Sequence, residues 1–167
     1  MKKIEPTEED GYEALRAHIV NRAIDCRAKY GTDLTWETVQ RILVDGDFVR
    51  FPVQVAFSDE PLQRGEFAIP VPQGETAKDG FVLCIRPCFE GNEAALVPLV
   101  LYHIPSINYL DIVTHIEAEL FGAAMLGIEI DEFYRRVCEL ADTMPKEAQL
   151  PPELVADAEV MRRHLEG

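Results

Sequence analysis

Four side chains in one stretch of this sequence carry the residue types and spacing that could do chemistry: His103, His115, Glu117 and Glu119. The segment from Tyr109 to Leu126 reads as a helix begun by Asn108, with Ile107 and Ile112 as a hydrophobic staple. On a wheel of about 100° per residue, Asp111, His115 and Glu119 fall at i, i+4 and i+8 on one side. An imidazole and a carboxylate one turn apart can share a divalent metal, zinc first, so His115 and Glu119 are the candidate metal pair. The same row equally suits a solvated face on which the two form an ordinary i,i+4 contact. Glu117 differs, because it projects into the apolar arc that includes Leu110, Ile116 and Ala124. A carboxylate there must be paired, protonated or set at a cavity. His103 lies only a tight turn before this helix, so His103 and Glu117 are the candidate catalytic pair, with perturbed acid–base behaviour as their expected signature. The structural alternative is a hydrogen-bonded pair that fixes helix against sheet, with Arg86 as the other available partner. Glu117 lies nearly opposite His115, so the four cannot serve one ion.

The run from His115 to Gly122 resembles the metal-binding helix of the zincin metallopeptidases, which carry His-Glu-x-x-His-x-x-Gly. His115 and Gly122 stand at matching positions, Glu119 stands at the second histidine ligand, and Ile116 at the general-base glutamate. Strands precede the helix in both cases. The resemblance implies a metal-binding protein or metal-dependent hydrolase with His115 and Glu119 as ligands. The departure at Ile116 removes the family's means of activating water, which puts peptidase activity in doubt. No glycine-rich phosphate loop, Gly-x-Ser-x-Gly elbow or paired Cys-x-x-Cys occurs.

These residues need elements to position them. Tyr12, Leu15, Ile19, Ala23, Cys26 and Tyr30 recur at helical spacing, which predicts a helix from Thr7 to Tyr30, with Thr7 as its cap. A short helix over Trp36–Val44 follows, capped by Thr35. Alternating apolar residues predict strands over Phe48–Phe57, 66–72 and Gly80–Phe89, the first two forming an antiparallel pair. Pro52, Pro70 and Pro72 place both of those at edges, bulges or strand ends. The almost continuously apolar Leu96–Ile104 reads as a fourth, central strand. After the helix at residues 109–126 come a helix over Glu132–Asp142 capped by Asp131, a linker over Thr143–Leu150, and a last helix opened by Pro151 and Pro152. Runs of strands followed by runs of helices predict an α+β fold. It comprises an antiparallel or mixed sheet of about four strands, two N-terminal helices and three C-terminal helices. The expected organisation is one domain over 1–167: a helical pair at 7–46, sheet at 47–104, helices at 108–142 and a terminal helix at 151–165.

The formal charge of -14 argues against nucleic acid and against an anionic membrane surface, both of which require cations. Residues 61–115 carry only six acids and three bases, against twelve and eight before them and twelve and five after, which marks the middle as core. Cys84 and Cys88 share a predicted strand face, but no second pair follows, so the four cysteines read as buried free thiols. Lys2 and Lys3 are not followed by the apolar run of a secretory signal, so a cytoplasmic location is expected. The acidic surface, the missing motifs and the small residues Ala118 and Gly122 favour a non-catalytic accessory or interaction domain that meets a protein partner or itself. A metal-dependent protein is the alternative. A third reading is a small-ligand pocket lined by Tyr102, His103 and Glu117.

Overall fold

Thr7 opens the first helix, α1 (Glu8–Tyr30), with a reciprocal cap. Its hydroxyl accepts from the Asp10 N–H at 3.1 Å, and the Asp10 carboxylate accepts from the Thr7 N–H at 2.9 Å. Two otherwise orphaned amide donors are thereby satisfied. Thr35 caps α2 (Trp36–Leu43) one way only, its hydroxyl accepting from the Thr38 N–H at 3.1 Å, and α2 buries Val39, Ile42 and Leu43. The structure, a computed structural model, describes residues 7–151, 153 and 154. The fold is α+β.

Three strands form one mixed sheet among the described residues: β1 (Val53–Phe57), β2 (Ala68–Pro72) and β3 (Phe81–Ile85), in the order β1-β3-β2. β1 runs parallel to β3, with Val55 opposite Leu83, and β2 runs antiparallel to it, with Pro70 opposite Leu83. The antiparallel pairing expected between the first two strands does not form, because β3 lies between them. The reason is physical. β3 is buried along nearly its whole length at Phe81, Leu83, Cys84 and Ile85, whereas β2 contains two prolines that cannot donate to a ladder. An edge accepts them.

The fourth strand expected at Leu96–Ile104 is instead the middle of α3 (Glu93–Tyr109). Continuous apolarity has no period and fits a buried strand or a buried helix equally; only length separates them, and 17 residues exceed a usual strand. Asn92 caps this helix by accepting from the Ala95 N–H at 3.3 Å. Pro98 and Pro105 sit inside it and each removes a backbone donor. Burial of Leu96, Leu99, Val100, Leu101, Ile104 and Ile107 offsets that loss. Glu93–Ile112 is long and apolar enough to cross a membrane by length and composition, but 67% of its apolar window is buried inside the fold. Its apolarity serves the core, where α2, β2 and the two helices that follow it in the chain pack on it.

The single helix expected from Tyr109 to Leu126 is broken. α3 ends at Tyr109, a 3-10 turn covers Leu110–Ile112, Val113 is extended, and α4 spans His115–Leu126. Asn108 is therefore not a cap. Its buried side chain accepts from the Arg50 N–H at 2.7 Å and donates to the Phe48 carbonyl at 2.8 Å, joining α3 to the segment before β1. α5 (Ile130–Thr143) begins after Glu129 rather than at Asp131. The expected linker is docked: it holds a 3-10 turn at Lys146–Ala148, and Gly65 donates to the Ala148 carbonyl at 2.7 Å. Apart from Pro151, Glu153 and Leu154, the expected last helix lies outside the described residues. The four cysteines are free; Cys26 and Cys84 are buried, and burial pushes the Cys26 thiol up to about 12. Cys88 is exposed in the turn Pro87–Phe89, so it shares no strand face with Cys84.

Ala118 and Gly122 do permit close approach, but the neighbour that Gly122 meets is α5 of the same chain. A Cβ on Gly122 would lie 2.0 Å from Cζ of Phe133, which is fully buried. Gly122→Ala should lower the unfolding free energy by about 1–3 kcal/mol through overpacking, and Phe133→Leu in the same chain should restore part of it. An unchanged urea midpoint for Gly122→Ala would show that the α4–α5 contact is looser than described.

Candidate functional site

Glu117 is the third residue of α4, and its role begins in the local sequence. Thr114-x-x-Glu117 is a capping box: the Thr114 hydroxyl accepts from the Ile116 N–H at 3.2 Å, and Glu117 Oε2 accepts from the Thr114 N–H at 3.2 Å and its hydroxyl at 2.5 Å. The carboxylate also sits at the positive end of α4. Glu117 is 0% exposed, and its other oxygen, Oε1, has no hydrogen-bond partner. Arg16 of α1 faces that oxygen, with Nε at 4.0 Å, close enough for attraction and too far for a hydrogen bond. Arg16 was not singled out from the sequence. The available signal was a cation at i−3 from Ile19, beside the apolar stripe of α1, opposite a glutamate that needed a partner.

The other members of the predicted set have their own surroundings. His103, on α3, is buried and donates from Nδ1 to the Leu99 carbonyl at 2.8 Å. Burial pushes its imidazole below the usual histidine range, while the Leu99 and Ala68 backbone and the charge of Glu66 act in the opposite sense. His103 is thus held by its own helix and the β2 side, Glu117 by Thr114 and Arg16 on the α1 side. Arg86 is bound to the Glu66 and Gln63 carbonyls, each at 2.6 Å, and to Asp59 at 3.4 Å. The row Asp111, His115 and Glu119 does not share one helix, since Asp111 belongs to the 3-10 turn before α4. Glu119 is buried, and His115 Nε2 is buried without a hydrogen-bond partner. Among the described residues, no group of three or more His, Cys, Asp or Glu side chains is placed to hold a metal ion.

Two concavities flank the break between α3 and α4. On one side a cleft of about 290 Å³ is lined by His18 and Arg22 of α1, Asp47, Phe48 and Arg50 before β1, and Asn108 and Tyr109 at the end of α3. On the other side a shallow groove of about 600 Å³ runs between Pro70, Pro72 and Phe81 of the sheet, Glu75 of the following loop, and Leu110, Asp111 and Val113. Leu110 separates them at φ 56°, ψ −133°, the one non-glycine residue with positive φ among those described. That conformation costs an L-residue about 1–3 kcal/mol and persists only where the surroundings impose it. Leucine gives no sequence signal for such a turn, so this corner was not foreseen. No protein-family model matches the chain, and neither a curated protein nor a solved structure does.

The Arg16–Glu117 pair is asymmetric, because the Arg16 side chain is 38% exposed and Glu117 is not. Arg16→Met strands a buried carboxylate and should lower the unfolding free energy by about 3 kcal/mol. Glu117→Gln keeps an acceptor for Thr114 and leaves a cation that water can reach, so it should lose only about 1 kcal/mol. Equal losses in chemical denaturation would contradict the pairing.

The His103 shift fixes a sign for pH dependence. The folded state holds the neutral ring, and the unfolded chain takes up the proton first, near the ordinary value of 6.5. Stability present above that value therefore falls as the pH drops below it. His103→Leu should show a smaller loss between about pH 7.5 and pH 5.5 than the parent in urea melts. An identical loss in both would place the titration elsewhere.

Proposed function

We propose that the chain is a non-catalytic interaction domain that docks a basic, partly apolar segment of a protein partner in the groove between β2 and the Leu110 corner. The observation that carries this reading is Leu110 itself. It is 43% exposed and Ile112 is 60% exposed, and both stand on a turn whose backbone is strained. A fold that keeps an apolar side chain in water at an energetic cost retains it for contact. The groove beside it has an apolar floor of Pro70, Pro72, Phe81 and Val113 and two acids, Glu75 and Asp111, with no basic residue among its lining. Neither acid has an ion-pair partner among the described residues, although Lys78 lies nearby on the same loop. The rim is firm: Asp79 accepts from the Thr76 N–H at 3.1 Å, and its carboxylate fills the space a side chain on Gly74 would take. The chain's charge of -14 favours a cationic partner at long range and speeds its approach.

A fluorescein-labelled peptide alternating lysine and leucine, and its glutamate-for-lysine counterpart, test this by anisotropy. The basic peptide should bind and the acidic one should not, with affinity falling as salt rises. Glu75→Gln with Asp111→Asn should weaken binding about tenfold, whereas Glu13→Gln with Asp142→Asn removes equal charge elsewhere and should leave it nearly unchanged. Leu110→Gly should weaken binding yet raise stability by up to about 1 kcal/mol, because the strain released exceeds the entropy cost of glycine. Equal weakening by both charge pairs would reduce the effect to net charge and overturn the reading.

A further inference from the structure

The cleft on the other side of the corner has the opposite electrostatic character, and nothing in the groove proposal accounts for it. We infer that it is a binding site for a small organic anion, in which a carboxylate or phosphate group meets Arg50, Arg22 and the Tyr109 hydroxyl while an apolar body packs inside. In a chain with 30 acids and 16 bases, this cleft is lined by two arginines and His18 against a single acid, Asp47. Arg50 forms no ion pair among the described residues; its guanidinium lies over the Phe51 ring, 5.3 Å from the centroid, with its donors available. Arg22 is fixed by the Asp47 carbonyl and by Asp25 at 3.4 Å, and stacks on the Phe48 ring at 5.0 Å. A planar guanidinium backed by an aromatic ring is preorganised for the two-oxygen edge of a carboxylate or phosphate.

The remaining walls suit the apolar part of such a ligand. Ile19, Phe48, Pro105 and Phe121 line the interior, and Tyr109 is packed edge-on against His18, with centroids 5.7 Å apart. Burial pushes the Tyr109 hydroxyl above its usual value while Arg22 and Arg50 pull it down, so both cations act on that hydroxyl and it stays a neutral donor. Asn108 holds the wall in place through its bonds to Phe48 and Arg50. The volume of about 290 Å³ lies at the lower end for ligand pockets, which limits the occupant to a small molecule.

Titration of the ¹⁵N-labelled chain, followed by amide and arginine side-chain resonances, uses four probes: benzoate, phenyl phosphate, inorganic phosphate and the neutral benzamide. Benzoate or phenyl phosphate should produce saturable shifts at residues 18–22, 47–50 and 105–109, and whichever binds more tightly assigns the acid group. Arg50→Gln, an exposed change, should weaken binding at least about tenfold, as expected for losing a charge-assisted pair. Arg41→Gln, which removes the same charge elsewhere on the surface, should not. Benzamide binding as tightly as benzoate, inorganic phosphate binding as tightly as phenyl phosphate, equal effects of Arg41→Gln and Arg50→Gln, or no saturable shift with any probe would each overturn the inference.

Discussion

The reciprocal cap between Thr114 and Glu117 is the interaction that ties α4 into the rest of this fold. It starts α4 at His115, a few residues after α3 ends at Tyr109, and so fixes where the second helix begins. The cap also buries the carboxylate on which Arg16 is centred, and thereby ties α4 to α1 across the fold. One local motif thus sets a helix start and supplies the carboxylate of an interhelical ion pair.

That turn organises the surface by charge. Tyr109 closes a cleft whose lining is net cationic, and Leu110, the next residue, borders a groove whose lining is acidic. An acidic surface with one cationic recess differs from a uniformly acidic one, because long-range attraction of a basic partner and local selection of a small anion can occur on the same molecule. The two occupants would approach the corner from opposite sides, and neither reading depends on the other.

Much of the architecture could be read from residue patterns, and the failures have identifiable causes. The helix α2 carries a clear period, and α1 and α2 have side-chain caps at Thr7 and Thr35, so local and tertiary preferences agree. The edge positions of β1 and β2 followed from proline chemistry. The central helix α3 was read as a strand because a segment buried on all sides loses the periodicity that distinguishes the two. The α4 boundary was misplaced because Asn108 with Ile107 and Ile112 imitates a helix start, while the true signal, Thr114 followed by Glu117, lay six residues later. Glu117 was rightly marked as buried and in need of a partner, but Arg16 is far away in sequence. Leu110 left no trace, since a positive φ is ordinarily announced by glycine or asparagine.

A recognition groove at the Leu110 corner and a merely strained turn differ in what they bind. The most direct measurement is a ¹H–¹⁵N titration of the chain with the lysine–leucine peptide at moderate salt. A groove gives saturable shifts confined to residues 70–81 and 106–113, all weakened together by Leu110→Gly. Shifts spread over the acidic faces of α1 and α5, and unaffected by that substitution, would contradict it.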